Sequence, residues 1–356
     1  MIKNPLRILI TGAGAPGIRG TLFCLKNNED KIPIVSVGVD IRDDAVGKYF
    51  LDRFYKVPAP ENAEYADSIL DICRKEKIDV IVPQTTREIA VLSKKRDEFL
   101  TSGYPVMVSS HETICRSNDK ADLIKVFEKE GLPVPNYKVV TSKDELMRAV
   151  RDLEYPSKPV VIKPAVSFGM RGLRILRSKP WNFENYINEK PVGVDISLDH
   201  FLEIMDEAPR WPKFLVTEYL PGAEYTVDVL IGSKNCTAVP RLRKSIRSGI
   251  SFENILEPRD DLARYALQAS SALKLQYAVG FQFKLDKDGV PRILECNPRV
   301  QGTMVASYFG GVNIIWLAVK DLLGYETHPS KCVLKNASFY RYWGGIGISG
   351  DKIYEI

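Results

Sequence analysis

Gly280-Phe281-Gln282-Phe283-Lys284-Leu285, then Asp286-Lys287-Asp288-Gly289, then Arg292-Ile293-Leu294-Glu295-Cys296-Asn297-Pro298-Arg299 is the stretch on which the fold of this chain turns. Two apolar-rich runs separated by turn-forming residues predict a β-hairpin. Side chains alternate faces along a strand, so Glu295 and Asn297 project from one face and Leu294 and Cys296 from the other, with Gln282 approaching from the neighbouring strand. Three oxygen donors together suit magnesium, a hard cation that takes oxygen ligands and keeps some of its waters. Arg299 is then placed to offer a fixed cation to a phosphoryl group in transfer. Cys296 reads as core packing and not as a nucleophile.

Working outward, Val160-Val161-Ile162-Lys163-Pro164 precedes Ser167-Phe168-Gly169-Met170-Arg171-Gly172. A lysine at a strand end ahead of a glycine-bearing loop is a phosphate-binding arrangement, because loop N–H groups and an ammonium together hold a triphosphate; a surface lysine before a hairpin turn fits the same residues. Lys120 stands near the start of the preceding predicted helix, where N-terminal N–H groups also favour phosphate oxygens. Leu215-Val216-Thr217-Glu218-Tyr219-Leu220-Pro221-Gly222 and Ala223-Glu224-Tyr225-Thr226-Val227-Asp228 read as two strands joined by a turn. Glu224, Thr226 and Asp228 share one face; Glu224 can accept both hydroxyls of a ribose, the backbone at Tyr219 and Leu220 can read an adenine edge, and Asp228 fits an exposed acidic face.

In the first third, strands at Ile8 to Thr11, Ile34 to Asp40 and Val80 to Pro83 alternate with helices after Gly17, from Ala63 to Lys75 and from Arg87 to Leu100. This alternation predicts a parallel sheet covered on both faces, closed by a last strand at Pro105 to Ser109. Gly12-Ala13-Gly14-Ala15-Pro16-Gly17, followed by Asp40, matches the dinucleotide fingerprint on paper. Pro16 sits inside that turn, however, and no histidine–carboxylate pair for hydride transfer is apparent. The alternative is a tight strand-to-helix turn that shapes a substrate cleft.

Asn118 or Asp119 can cap a helix carrying Leu123, Ile124 and Phe127, so a new unit begins there. Ser142-Lys143-Asp144-Glu145 is a capping box opening a helix with Leu146, Ala149, Val150 and Leu153. Residues 178 to 213 read as an irregular or partly helical insertion; a helix follows at Asp260 to Leu273, and the tail from Phe339-Tyr340-Arg341-Tyr342-Trp343 to Ile356 is expected to pack on the last unit.

With 356 residues, 45% of them hydrophobic, the chain can fill two or three cores. No stretch approaches the roughly 18 uninterrupted apolar residues of a membrane span, and the expected compartment is the cytoplasm. Six scattered cysteines without a C-x-x-C pair and three dispersed histidines indicate neither a zinc site nor a disulfide framework. A net charge of +5 with acidic residues interspersed favours small anionic ligands over nucleic acid. The basic run Arg241, Arg243, Lys244 and Arg247 lacks interleaved aromatics and is the candidate clamp for a substrate carboxylate or terminal phosphate, with Arg243 our choice among them. Gln84, Thr85, Arg87 and Glu88 are candidates to line the same cleft.

Taken in order, these motifs resemble the ATP-grasp superfamily, most closely the large subunit of carbamoyl phosphate synthetase and related carboxylate–amine ligases. The resemblance rests on Lys120, Lys163 with its glycine loop, Thr217-Glu218-Tyr219-Leu220 with Glu224, and above all Glu295-Cys296-Asn297-Pro298-Arg299 with Gln282. It implies an α/β fold of three units: a Rossmann-like domain over 1–117, a small lid domain over 118–213, and a larger metal-binding domain over 214–356. It further implies that Lys120, Lys163 and the loop residues Ser167, Gly169, Met170 and Gly172 hold ATP phosphates. Glu218 with the Tyr219 and Leu220 backbone would hold adenine, Glu224 ribose, and Gln282, Glu295 and Asn297 magnesium or manganese. Glutamine at 282, where many members carry a carboxylate, also occurs in carbamoyl phosphate synthetase-like members and implies a weaker site for one ion. Small carboxylate and amine substrates, plausible among them an amino acid, are then expected, without nucleic-acid or membrane partners; a homodimer is the assembly to consider. Phosphorylation of bicarbonate or carbamate, and nucleotide sensing without turnover, are the rival functions.

Overall fold

A computed structural model describes residues 3–167, 169–188, 193–328, 337–349 and 352–355. Three sheets dominate. The first holds β1 (Leu6–Thr11), β2 (Ile34–Asp40), β3 (Arg53–Lys56) and β4 (Val80–Val82) in the order β3-β2-β1-β4, all parallel. β3 was not foreseen: Arg53-Phe54-Tyr55-Lys56 is an exposed edge with no buried apolar alternation to betray it. The expected closing strand at Pro105 to Ser109 reduces to one parallel bridge between Ile81 and Val106. The helix expected from Arg87 to Leu100 is two, Thr86–Lys94 and Arg96–Thr101, broken at Lys95.

The second sheet comprises β5 (Tyr137–Val140), β6 (Val160–Pro164), β7 (Arg174–Leu176), β8 (Asp195–Ile196) and β9 (Phe214–Glu218), ordered β5-β9-β6-β7-β8. The third comprises β10 (Glu224–Ile231), β11 (Cys236–Arg247), β12 (Ile250–Leu256), β13 (Tyr277–Leu285), β14 (Pro291–Asn297) and β15 (Ser338–Tyr340), ordered β14-β13-β10-β11-β12-β15 and antiparallel throughout. A separate hairpin pairs β16 (Ile346–Ser349) with β17 (Lys352–Glu355).

Three expectations change here. β9 and β10 are not a hairpin: they lie in different sheets, and Tyr219 to Ala223 is the crossing between them. The boundary set at 213/214 therefore falls after Glu218 by sheet membership. The helix Lys120–Lys129 buries Leu123 and Phe127 with Val227, Phe281 and Ile293 of the six-stranded sheet, so its core belongs there and not to the lid. The insertion is partly helical, with helices Phe183–Asn188 and Leu198–Asp206 flanking β8.

Ser142 caps the helix Lys143–Asp152, but Glu145 turns to the Thr141 N–H at 2.6 Å, so the reciprocal half of the box is absent. The complete box is Thr85–Glu88 at the helix Thr86–Lys94, where both reciprocal bonds form. Its cost or benefit bears on function, because this helix start forms one wall of the cleft.

One apolar core joins the first and third sheets: Leu6, Ile8 and Ile10 of β1 pack with Leu230, Val239 and Tyr277 through the helix Ile314–Leu322. Trp316 in that helix is fully buried and its indole N–H donates to Asp30 at 2.6 Å. Burying such large apolar side chains contributes about 2 to 3 kcal/mol each, which holds the two sheets as a fixed frame. The five-stranded sheet has its own core of Val160, Ile162, Val216, Leu146 and Phe201. It thus stands over the frame as a separately packed layer.

Candidate active site

A cavity of about 620 Å³ opens between the five- and six-stranded sheets and reaches the glycine turn of the first. Nucleotide-sized ligands fit volumes of this order. Lys120, Lys163, Ser167, Gly169, Met170, Glu218, Tyr219, Leu220, Glu224, Arg243, Gln282, Glu295, Asn297 and Arg299 all line it. Gly172 does not; its φ of +75° and a contact that leaves no room for a Cβ beside Pro164 make it a turn residue that shapes the loop. Phe168 lies outside the described residues, as do Cys332 and parts of the tail.

Lys163 ends β6 and is buried. Burial pushes its ammonium down to about 8; the field of Glu295 opposes that shift, Lys120 adds to it, and Glu224 opposes it again. Lys120 donates to the Ser167 carbonyl at 2.7 Å and to its hydroxyl at 3.3 Å, and burial lowers its pKa against the pull of Glu295 and Asp119. The Lys120 N–H donates to the Ala165 carbonyl, which fastens this helix start to the end of β6. Two desolvated ammoniums therefore stand at the mouth of the glycine loop, with Glu295 the one carboxylate that acts on both, while Glu224 and Asp119 are paired with Arg243 and Lys213. The uncompensated positive charge of the two ammoniums suits a polyphosphate.

Glu295 pairs in register with Gln282, and Asn297 with Gly280. The ladder slips between Gln282 and Phe283, so Leu294 is an extra, bulged residue. The bulge overturns strict alternation: Leu294 lines the cavity beside Glu295, while Cys296 alone turns into the core, where burial drives its thiol well above the usual range. The Asn297 amide nitrogen donates to Glu295 Oε1 at 3.2 Å, which leaves the amide oxygen as the donor for a cation. Among the described residues no group of three or more His, Cys, Asp or Glu is placed to hold a metal ion by itself. One carboxylate with two amides fits magnesium brought in on phosphate oxygens and keeping waters, and does not fit an all-protein cage.

Glu218 accepts from the Asn136 N–H at 2.8 Å, bracing the crossing between sheets. Two cations approach the Tyr219 ring, the Arg177 guanidinium just after β7 at 5.0 Å from its centroid and the Lys284 ammonium of β13 at 5.5 Å. Arg299 donates to Thr86 at 3.1 Å and to the Val300 carbonyl at 2.9 Å; burial lowers its pKa and Glu295 and Glu88 oppose this.

The basic run separates. Arg241 is fully buried, bonded to Asp228 at 2.8 and 3.2 Å, to Asn254 and to Gln301; Ser307 donates to the same Asp228. Asp228 is thus not an exposed acidic face but the centre of a buried network. Lys244 pairs with Glu253 on the surface, and Arg247 stacks over Phe252. Arg243 lines the cavity, yet each of its nitrogens has a protein acceptor: Glu224 in a close ion pair, the Gly249 carbonyl at 2.6 Å and Ser251 at 3.4 Å. Three of its five N–H donors are thus directed at protein acceptors, which leaves two for the substrate role expected of it.

Gln84 and Thr85 line the cleft as expected; Arg87 and Glu88 do not. Arg87 pairs with Glu61 on the surface, and Glu88 is the buried cap, accepting from Thr11 at 2.8 Å. Gly12 to Gly17 forms a wall: Ala15, Pro16 and Gly17 line the cavity, and Asp40 accepts from the Gly14 N–H at 2.7 Å, tying the turn to the end of β2. A Cβ at Gly17 would strike Gly302, so glycine here permits close approach of two backbones. Sequence reading missed Arg341, which follows β15, donates to the Pro16 and Gly302 carbonyls at 2.9 and 2.7 Å, and lines the cavity. Its only signal was an arginine inside an aromatic run. Trp343 packs on Phe252 nearby, and Glu355 of β17 pairs with Arg19, so the tail does lie against the body.

A three-sheet frame with a nucleotide-sized cleft between the second and third defines the ATP-grasp fold. Residues 210–339 match the family described as ATP-grasp in the biosynthetic pathway with Ter operon, and residues 8–107 match the PylC-like N-terminal domain. The carbamoyl phosphate synthase large chain of Clostridium acetobutylicum is 25% identical over 73% of this chain and 23% of its own length. The N-terminal section of the Methanopyrus kandleri large chain is 26% identical over 91% of this chain and 58% of its own. This chain thus spans from under a quarter to somewhat over half of those relatives. Among solved structures, the biotin carboxylase domain dimer of Hydrogenobacter thermophilus 2-oxoglutarate carboxylase, with MgADP, ADP and bicarbonate, superposes with a TM-score of 0.70 at 18% identity, over 98% of this chain and 83% of that one. The fold is thus that of ATP-grasp enzymes, and residues 210–339 match an ATP-grasp family model. Among the described residues no helix is long and apolar enough to cross a membrane.

Proposed function

We propose that this chain is an ATP- and magnesium-dependent ligase that activates a small carboxylic acid as an acyl phosphate and passes the acyl group to an amine. The observation that carries this reading is the convergence on one cavity of Lys163 from the five-stranded sheet, Lys120 from the helix start bonded to Ala165, and Glu295, Asn297 and Arg299 from the β14 segment. Adenine would lie at Glu218, Tyr219 and Leu220, ribose at Glu224, and the phosphates between the two lysines and the loop at Ser167 to Gly172. Magnesium held by Glu295 and Asn297, with Gln282 beside them, would supply charge neutralisation on the phosphate oxygens.

Catalysis then rests on positioning and electrostatics. Arg299, fixed by Thr86 and the Val300 carbonyl, stabilises the charge on the transferring phosphoryl group. A carboxylate oxygen forms its bond to the γ-phosphorus as the bridging oxygen leaves with ADP. The amine nitrogen next attacks the acyl carbon, the C–O bond to phosphate breaks, and the proton departs to solvent. No protein nucleophile is required, and covering the loop excludes water from the labile acyl phosphate.

A second reading, phosphorylation of bicarbonate or a simple acid without an ammonium group, draws support from the lining itself. The carboxylates of the cavity wall are Glu218, Glu224 and Glu295, which this reading assigns to nucleotide and metal, while Gln84, Arg299, Gln301 and Arg341 line the end at the glycine turn. That end offers no carboxylate partner to an α-ammonium among the described lining residues. ADP release in magnesium and ATP separates the readings when pools of amino acids, simple acids and bicarbonate are supplied with and without amines. Acid-dependent ADP and an amide product support the ligase, and bicarbonate-dependent ADP supports the second reading. Nucleotide binding with no turnover under any condition would sink both.

A further inference from the structure

The glycine loop and the β11–β12 turn meet across the cleft. A Cβ on Gly249 would lie 2.6 Å from the Met170 sulfur, so Met170 sits directly on that turn. Gly249 has φ +76° and Ser248 φ +47°, a tight reversal that presents the Gly249 carbonyl inward. Arg243 Nη2 grips that carbonyl at 2.6 Å, and Nη1 of the same guanidinium is ion-paired with Glu224. Met170, Gly249, Arg243 and Glu224 all line the one cavity. A planar guanidinium holds both partners in a fixed geometry, whereas an ammonium is a single point charge.

We propose that Arg243 is a positioning residue that couples nucleotide at Glu224 to the seating of Met170 on the Ser248–Gly249 turn, and so to coverage of the phosphates. This rests on the reading of Glu224 as the ribose ligand. Ribose hydroxyls donate to the carboxylate, which stays paired with Arg243; the guanidinium then keeps its second edge on the Gly249 carbonyl and holds the turn as a seat for the loop. Without that edge the turn is unbraced and the loop has no fixed surface to close on.

The test measures trypsin cleavage at Arg171 in the loop, with and without a non-hydrolysable ATP analogue and magnesium, alongside analogue affinity and thermal unfolding. In the wild type the analogue protects the loop. Met170→Ala and Gly249→Ala should each reduce protection about tenfold, and the double variant should be no worse than either, because the first removes the side chain that rests on the turn and the second acts by striking that same side chain. Non-additivity separates the contact from the backbone strain that alanine brings at a positive φ. Arg243→Lys keeps a charge beside Glu224 but loses the fork, so protection should fall by a larger factor than analogue affinity does. Additive effects of the first pair, or full protection in Arg243→Lys, would overturn the coupling. Unchanged analogue affinity in Glu224→Gln would instead overturn the ribose reading beneath it.

Discussion

Lys163 at the end of β6 and Glu295 on β14 belong to different sheets yet line one cavity, and the carboxylate's field holds up a lysine pKa that burial drives down to about 8. An ammonium left partly desolvated without a full partner is a cost in the empty protein and an asset once a triphosphate arrives.

The sign of that cost is testable. Folding lowers the Lys163 pKa, so between about 8 and the ordinary lysine value the unfolded chain binds more protons and stability rises with pH; below 8 the whole penalty is present. Lys163→Met should therefore unfold at a higher temperature than the wild type at pH 7, by a gain on the order of 1 kcal/mol, while losing ATP-dependent turnover. In the wild type, kcat/KM for ATP should fall as pH rises through about 8, because the free enzyme then loses the phosphate-binding charge. A flat profile from pH 7 to 9 would contradict the role.

In the proposed metal set Glu295 is the one carboxylate. Glu295→Gln keeps size and hydrogen bonding but removes the charge, and turnover should drop by about 10² or more, with part recovered at high magnesium concentration. Far-ultraviolet circular dichroism should be unchanged. Retained turnover at ordinary magnesium would remove Glu295 from the site.

Arg241 and Asp228 are buried together, and breaking one partner of such a pair costs about 3 to 5 kcal/mol. Arg241→Met should lower the denaturant midpoint sharply. A variant as stable as the wild type with a raised KM for the acid would reinstate Arg241 as a substrate contact.

Arg341 ties the strand after the last helix to the Pro16 and Gly302 carbonyls. Arg341→Ala should raise the KM for the acid about tenfold and leave the KM for ATP within about threefold, because its guanidinium donates to the Pro16 and Gly302 carbonyls of the glycine-turn wall. Equal effects on both constants would mean a general loosening of the frame.

Much of this site was legible because each motif is local. The hairpin, the Lys163 loop and the Asp119-capped helix depend on neighbours in sequence, and periodicity and capping chemistry read them directly. What escaped depends on distant chain. The bulge that moves Leu294 to the cavity face is a register choice made against β13, and alternation alone cannot see it. Arg241, Arg243 and Lys244 look alike in sequence but are sorted by three partners on other strands, Asp228, Glu224 and Glu253. Thr85-Thr86-Arg87-Glu88 carried a capping-box signature that was available in sequence and was read as loop lining. Arg341 is brought to the glycine turn only by β15 pairing with β12, a contact that composition does not encode.

The most direct measurement is an ATP-affinity cycle over Lys163→Met and Glu295→Gln, by calorimetry with and without magnesium. Shared service to one triphosphate predicts that Lys163→Met weakens ATP in both conditions, that Glu295→Gln erases only the magnesium-dependent part, and that the two losses are non-additive when magnesium is present. Independent, additive losses, or a wild type that binds a nicotinamide dinucleotide and not ATP, would contradict the account.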